Sequence, residues 1–254
     1  MLIKGLQKLT LLDYPGQIAC TVFTAGCNMR CPFCHNGGLA LGEGGEEISV
    51  DELLAFLDSR RGRLTGVCIS GGEPTLHRDL PLLLREIKSR GFAVKLDTNG
   101  TNPEMLLSLI NDGLVDYVAM DIKNSPERYA ETAELGVQSD TNPSVTEGDT
   151  SLCTREAGRV QSENGLLNKI SASAILLMKG RVDFEFRTTV VRELHNEKDI
   201  RDIGKWLSGD EKYFLQTYRD EGDLLVGGFT SYNKEETEGL LATLREYIPN
   251  AQIR

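Results

Sequence analysis

Three cysteines lie within eight residues near the start of the chain, in the stretch TAGCNMRCPFCHN. They are Cys27, Cys31 and Cys34, with the spacing C-x3-C-x2-C. Reduced cysteines in a tight cluster are typical ligands of metals. A structural zinc site normally has four ligands, and a disulfide joins only two cysteines. Three thiolates suit a cubane [4Fe–4S] cluster in which one iron keeps an open position for a small molecule.

Two other interpretations of these cysteines stay open at this point. They could be incidental thiols of a loop, or they could bind zinc with a distant fourth ligand. His35 directly follows the last cysteine and is poorly placed to join it on one metal. Cys20 precedes the loop, and Cys68 and Cys153 are distant in sequence. The loop itself therefore offers three thiolates and no clear fourth ligand.

Strand-like and helix-like patterns alternate along the chain, which favours a parallel sheet. Apolar, β-branched segments predict six strands, at residues 18–26, 66–70, 92–97, 116–122, 183–191 and 212–218. Helices are predicted at residues 49–60, 79–91, 102–113, 165–180, 196–209 and 233–248. Ser49, with Glu52 three residues later, predicts a capping box. Because six units are too few for a closed eight-unit barrel, we expect an α/β fold, a partial (β/α)6 open barrel.

The chain shows no internal repeat and no linker rich in Pro or Gly, so residues 1–254 are predicted to form a single domain. Residues 137–164 are polar and have neither helical nor strand periodicity. This stretch is predicted to be a polar surface loop or insertion.

Composition and charge exclude several classes of function. The 254 residues carry a formal net charge of −10, which gives no electrostatic footprint for nucleic acid. The first 16 residues lack the apolar run and cleavage site of a signal peptide. No apolar run approaches the ~20 residues that a membrane span needs. We therefore expect a cytoplasmic protein that binds neither nucleic acid nor membrane.

Polar residues collect where the predicted strands end. SGGEP (70–74), DTNG (97–100) and DIK (121–123) follow the second, third and fourth strands, while Arg187 and Gln216 belong to the fifth and sixth. Active sites of parallel α/β folds lie at the carboxyl ends of strands, so these segments and the cysteine loop predict a cofactor-sized pocket at one rim. Each segment also has a simpler interpretation, as a turn or a solvated ion pair.

Taken together, these motifs resemble the radical S-adenosylmethionine (SAM) superfamily. The cysteine spacing, with Phe33 before the last cysteine, and GGEP on the second strand carry this resemblance. CHN after the cysteines, LDTNG (96–100) and DIK resemble the enzymes that activate glycyl radical enzymes. LLDYPG (11–16) and FRTTVV (186–191) are similar to the branch that activates anaerobic ribonucleoside-triphosphate reductase. The likeness covers residues 1–136 and 165–254.

The resemblance implies an oxidoreductase with one [4Fe–4S] cluster, bound by Cys27, Cys31 and Cys34, and with SAM on the open iron. An electron passed through the cluster would cleave SAM to a 5′-deoxyadenosyl radical, which would take a hydrogen atom from a glycine of a partner enzyme. No catalytic side chain is assigned beyond the cluster and SAM. The implied partners are a glycyl radical enzyme and a reductant such as flavodoxin or ferredoxin.

The resemblance also assigns contacts to SAM. Gly71, Gly72 and Glu73 would lie against its methionine part, where a backbone edge without side chains can approach closely. The other contacts are assigned to Asp97, Thr98, Asp121, Lys123 and Arg187. Because Asp97 and Asp121 would repel the SAM carboxylate, a monovalent cation between them is a hypothesis. A radical SAM enzyme acting on a small molecule, such as a purine-derived metabolite, and a zinc-binding structural protein are the competing functions.

Overall fold

The structure, a computed structural model, describes residues 1–133, 152–209, 212–220 and 224–254. The described strands are β1 Ile3–Thr10, β2 Ala19–Thr24, β3 Gly66–Gly71, β4 Ala93–Thr98, β5 Tyr117–Asp121, β6 Asp183–Val190, β7 Tyr213–Thr217 and β8 Gln252–Ile253. The described helices are α1 Gly37–Leu41, α2 Val50–Ser59, α3 Leu80–Ser89, α4 Pro103–Asn111, α5 Tyr129–Ala133, α6 Leu152–Met178, α7 Glu197–Trp206 and α8 Lys234–Arg245. No helix in these ranges is long and apolar enough to cross a membrane.

The strands form one sheet in chain order, from β1 at one edge to β8 at the other. Strands β2 to β7 are the six predicted strands, and adjacent strands within this group run parallel. This confirms the α/β prediction of an open, partial (β/α)6 barrel. Strand β1 adds to β2 in the antiparallel direction, and β8 adds two residues beside β7. Both were missed, because β1 contains a glycine and two lysines, which strands disfavour, and β8 is very short.

Helix α6 corrects the sequence analysis. It begins at Leu152, so the prediction of a loop is wrong for residues 152–164. Helices are recognised from apolar residues at helical spacing, and this stretch has few of them. The rest of the predicted insertion, residues 137–151, lies outside the described residues.

The two faces of the sheet have different chemistry. On the outer face, Val94 and Leu96 of β4 are fully buried in an apolar core that also contains Leu84 and Ile87 of α3. Successive side chains of a strand point to opposite faces, so the neighbouring Lys95 and Asp97 belong to the inner face. The apolar core therefore lies between sheet and helices, while the barrel interior is polar.

Short side-chain caps fix where the outer helices begin. The Oγ of Ser49 accepts a hydrogen bond from Glu52 N (3.2 Å), and Ser49 N donates to the Glu52 carboxylate (2.8 Å). The predicted capping box of α2 is therefore confirmed. Asn196 forms a capping box with Asp199 at α7, and Asn102 caps α4 by accepting a hydrogen bond from Met105 N.

We expect Ser49→Ala to lower the free energy of unfolding by about 1 kcal/mol, because it removes the cap of α2. Chemical denaturation measures this change. Ser89→Ala is the matched control, since Ser89 lies at the other end of a helix, where its hydroxyl only donates to the Glu86 carbonyl. An equal loss in both variants would show that the cap contributes nothing of its own.

Candidate functional site

The three cysteines lie in the loop between β2 and α1, and all of them line one cavity of about 410 Å³. Hydrogen bonds to residues of α1 fix the backbone at the start of the loop. Gly26 N donates to Leu39 O (2.7 Å) and Cys27 N donates to Ala40 O (3.1 Å). At the far end of the loop, Cys34 N donates to Cys31 O (3.0 Å) and closes a turn. The thiols are thus presented to the cavity by a loop held through its own backbone.

The two glycines at the end of β3 dock directly on the strand that leads to this loop. Gly72 N donates to Thr24 O (2.8 Å). A Cβ added at Gly72 would lie 2.1 Å from the carbonyl oxygen of Gly26, and one at Gly71 would lie 2.4 Å from the Thr24 oxygen. Gly71 also has a φ of +107°, which side chains disfavour. Both glycines line the cavity, and backbone packing alone already requires them.

Glu73 does not line the cavity, although the sequence predicted a cofactor contact. Its fully buried carboxylate accepts hydrogen bonds from Thr75 N (3.0 Å), Thr75 Oγ1 (2.5 Å), Thr98 Oγ1 (2.8 Å) and Asn99 N (2.6 Å). Burial raises the pKa of Glu73, while these four donors favour its charged form. The carboxylate is fully enclosed by these donors and is absent from the cavity wall. Glu73 joins the turn after β3 to the end of β4.

A row of ion pairs crosses the inner face of the barrel. Arg187 of β6 donates from Nε to Asp121 Oδ1 (2.9 Å), and its terminal Nη2 lies 3.5 Å from Asp97 Oδ2. The Nζ of Lys123 lies 3.2 Å from the second oxygen of Asp121. The ammonium of Lys95 contacts the second oxygen of Asp97. Each carboxylate therefore has two cationic partners, one of them the shared guanidinium.

These contacts keep the row charged. Burial by itself would raise the pKa of Asp121, but Arg187 and Lys123 outweigh it and lower that pKa to about 2. Burial also acts on Asp97, and Arg187 and Lys95 likewise lower its pKa. Although burial favours neutral Lys123 and Arg187, the facing Asp121 carboxylate raises the pKa of both. At neutral pH the inner face thus presents fixed charges of both signs.

Asn99, in the predicted DTNG turn, connects the end of β4 to the cysteine loop. Its Nδ2 donates to Asn28 Oδ1 (3.0 Å) and lies 3.8 Å from Cys27 Sγ. Met29 N lies 3.4 Å from the same sulfur. Such hydrogen bonds to sulfur are one of the means by which a protein tunes an iron–sulfur cluster. Burial raises the pKa of Cys27 to about 11 and that of Cys31 to about 12, so cluster binding must displace their protons.

The donor set suits a cluster better than a single metal ion. Within the described ranges, no three His, Cys, Asp or Glu side chains lie close enough together to hold one ion. This disfavours the zinc interpretation. Three thiols spread around one cavity match the larger cubane, whose irons each need a separate ligand. The cavity volume also lies within the ~300–1,000 Å³ typical of small-molecule sites.

Most of the predicted site residues meet around this cavity. Its wall includes Cys27, Cys31, Cys34, Gly71, Gly72, Asp97, Thr98, Asp121, Lys123 and Arg187. His35 and Gln216 lie there as well. Sequence analysis gave no site role to Asp13 and Thr189 on the wall or to Lys95 directly behind it. For Thr189 and Lys95 the signal was a polar residue two positions from another inside an apolar strand, as Lys95 is from Asp97 and Thr189 from Arg187.

His195 is a further missed residue, which supports Lys123 from behind. It is buried, its Nδ1 accepts from Val191 N (3.1 Å), and its Nε2 lies 2.7 Å from Lys123 O. Because Nδ1 accepts, the ring proton is on Nε2 and is donated to that carbonyl. Burial lowers the pKa of His195, which keeps the ring neutral. The ring therefore fixes the backbone at the point where Lys123 turns into the cavity.

Comparison with known families identifies the family of this chain. The Radical SAM superfamily matches residues 21–190, which include the cysteine loop and strands β3 to β6. The chain belongs to the radical SAM superfamily. Enzymes of this superfamily use a [4Fe–4S] cluster and SAM, and the cysteines and cavity of this chain fit both.

Similar proteins indicate to which branch of the radical SAM superfamily this chain is related. A Methanocaldococcus jannaschii protein named "putative glycyl-radical enzyme activating enzyme" is 33% identical over 260 residues, which cover 100% of this chain and 95% of that protein. This confirms the resemblance to the activating branch. A 7-carboxy-7-deazaguanine synthase from Aquifex aeolicus is 37% identical over 76 residues, 30% of this chain and 33% of that protein.

A solved structure shows the same fold. A domain of pyruvate-formate lyase-activating enzyme from Bacteroides vulgatus superimposes with a TM-score of 0.53 at 15% identity, covering 74% of this chain and 98% of that one. The shared architecture extends over most of the described residues.

We expect Gly72→Ala to fold but to lose more than about half of its iron and sulfide after anaerobic reconstitution, because the added methyl displaces the backbone before Cys27. Metal and sulfide analysis measures this loss. Gly239→Ala in α8 is the matched control, since nothing lies within 4 Å of its added Cβ. It should keep the full cluster, and equal cluster content in both variants would contradict the assigned role of Gly72.

Proposed function

We propose that this chain activates a glycyl radical enzyme, with anaerobic ribonucleoside-triphosphate reductase as the partner. The proposal is based on one observation: three cysteine thiols, two glycines and a row of charged side chains line the same cavity. When bound, the cluster would pass one electron from a flavodoxin or ferredoxin to SAM, whose cleavage gives methionine and a 5′-deoxyadenosyl radical that takes a hydrogen atom from a partner glycine. The proposal includes a cytoplasmic location.

In this proposal Cys27, Cys31 and Cys34 hold the cluster. The Gly71–Gly72 edge lies along the methionine part of SAM, because it exposes backbone groups without side chains. Thr98 supplies a hydroxyl at the end of the same wall. The protein's own contribution is to bind and orient the cofactors and to exclude water from them.

The fixed charges orient the polar groups of SAM. Lys123 and Arg187 offer positive charge to its carboxylate or ribose hydroxyls. Asp97 and Asp121 hold those cations in place and suit its amino group. Glu73 acts as a positioning residue through Thr98 and Asn99, since its carboxylate is enclosed.

The extent of the alignments with relatives favours a protein substrate. The relative named for glycyl-radical enzyme activation aligns with the whole chain. The two segments similar to the reductase-activating branch also reach the cavity, because Asp13 belongs to LLDYPG and Thr189 to FRTTVV, and both line the wall. These observations support the named partner.

A small-molecule substrate is the second candidate. It is favoured by the 37% identity to the deazaguanine synthase, which is confined to 30% of the chain. The cysteine loop and GGEP would serve either substrate. The two candidates differ in what loses a hydrogen atom, a protein backbone or a free metabolite.

The cofactor chemistry is tested with Cys31→Ala. After anaerobic reconstitution, SAM and a reductant should yield 5′-deoxyadenosine from the natural chain and less than about one tenth as much from the variant, because one cluster ligand is lost. Cys20→Ala is the matched control, since Cys20 is buried in the outer core away from the cavity. Zinc without iron and sulfide in the purified natural chain would refute the cluster.

The partner is tested by electron paramagnetic resonance. Incubating the reconstituted enzyme, SAM and reductant with purified anaerobic ribonucleoside-triphosphate reductase should produce a glycyl radical signal. A reductase whose radical glycine is replaced by alanine is the control and should give none. Production of 5′-deoxyadenosine with a purine-derived metabolite, and no radical on any glycyl radical enzyme of the same cell, would favour the second candidate.

A further inference from the structure

The charges on the cavity wall do not balance among themselves. Of the Asp, Glu, Lys and Arg side chains that line it, Asp13, Asp97 and Asp121 are acidic, and Lys123 and Arg187 are basic. Three carboxylates facing two cations leave an excess of one negative charge. Asp13 is partly exposed, but the Asp97 side chain is only 16% exposed, and an excess of negative charge beside it is costly without one more cation.

Lys95 supplies that cation from behind the wall. Its side chain is only 1% exposed, and its ammonium contacts Asp97 Oδ1. Its other close contact is the Cys68 sulfur at 3.9 Å, on the neighbouring strand and in register with it. Lys95 thus faces the interior, and Asp97 is its anionic partner.

The neighbouring acids have partners of their own. Glu185, on the same inner face, accepts from both terminal nitrogens of Arg254 (2.8 and 3.1 Å) and from the Tyr117 hydroxyl (2.8 Å). Glu73 is enclosed by its four hydrogen-bond donors. Neither acid competes with Asp97 for the ammonium of Lys95.

The hypothesis of a bound monovalent cation does not fit this arrangement. It rested on repulsion among Asp97, Asp121 and the SAM carboxylate, but Arg187 bridges the two aspartates and each has a lysine besides. An added cation would have to displace an ammonium that is already in place.

We propose that Lys95 is a built-in counter-ion that takes the place of a monovalent cation, so that the site binds SAM without Na⁺ or K⁺. Lys95 is a positioning residue, because it acts by holding Asp97 rather than by reaching the cofactor. The proposal rests on the proposed SAM site. Its first test, however, needs neither cluster nor SAM.

That first test compares thermal unfolding in K⁺ and in tetramethylammonium at equal ionic strength. Lys95→Met keeps the length of the side chain and removes its charge, so the excess negative charge on the wall should recruit K⁺. We expect K⁺ to raise the melting temperature of this variant and to leave the natural chain unchanged, since only a state that binds the ion is stabilised by it. Lys198→Met, which removes an exposed ion-pair partner, should show no difference between the salts.

The second test measures SAM binding to the reconstituted enzyme in the same two salts. The natural chain should bind SAM equally well in both. Lys95→Met should bind about tenfold more weakly in tetramethylammonium and recover in K⁺, because Asp97, left with only the Arg187 that it shares with Asp121, would otherwise repel the SAM carboxylate. Lys95→Arg keeps the charge and should stay independent of K⁺.

The outcomes separate the two proposals. A natural chain that needs K⁺ for SAM binding, or a Lys95→Met variant indifferent to K⁺ in both tests, would overturn the role of Lys95 and leave the SAM site intact. A natural chain that binds no SAM in either salt would overturn the proposed function, while thermal unfolding still decides the cation question. If Lys95→Met does not fold, the natural chain and Lys95→Arg give the answer.

Discussion

The guanidinium of Arg187 lies between the carboxylates of Asp97 and Asp121, and this contact ties together three parallel strands at the level of the cavity. A buried ion pair seldom stabilises a fold more than apolar packing of the same volume would. Breaking it by removing one partner is strongly destabilising, because an unpaired charge is left inside. The charged row therefore defines the shape and polarity of the interior rather than the stability of the fold.

Stability has to come from the other face of the same strands. Burial of apolar surface contributes roughly 25 cal/mol per Å², and the layer between sheet and helices is built of fully buried aliphatic side chains such as Val94, Leu96 and Leu84. Because strand side chains alternate, one strand can serve both faces, as β4 does. The apolar layer fixes the register of the strands, and the register in turn fixes which inner-face charges meet. Val94 and Leu96 hold β4 in the sheet, and the same alternation places Lys95 and Asp97 together on its inner face.

Local patterns explain what could be predicted from the sequence. The cysteine spacing, the six apolar strands and the polar residues at strand ends are all local, and the structure places most of them around one cavity. Lys95 and Thr189 were missed because an isolated polar residue in a predicted strand does not show which face of the sheet borders the cavity. The enclosure of Glu73 was missed because its four donors come from two separate turns. The helical residues 152–164 lack the apolar spacing on which prediction of a helix relies.

Gly71 and Gly72, at the end of β3, belong to a motif that was identified correctly, but the physical reason for the two glycines was not. Close approach of a ligand is one reason for a bare backbone edge, but at Gly71 and Gly72 the space that a Cβ would need is already filled by the backbone of Thr24 and Gly26. The cysteine loop is thereby held from three sides, by α1, by the turn after β3 and by Asn99 at the end of β4. A loop fixed in this way loses little further conformational freedom when its thiols take up a cluster, so more of the binding free energy is kept. The rigidity of the loop therefore comes from contacts within the protein itself.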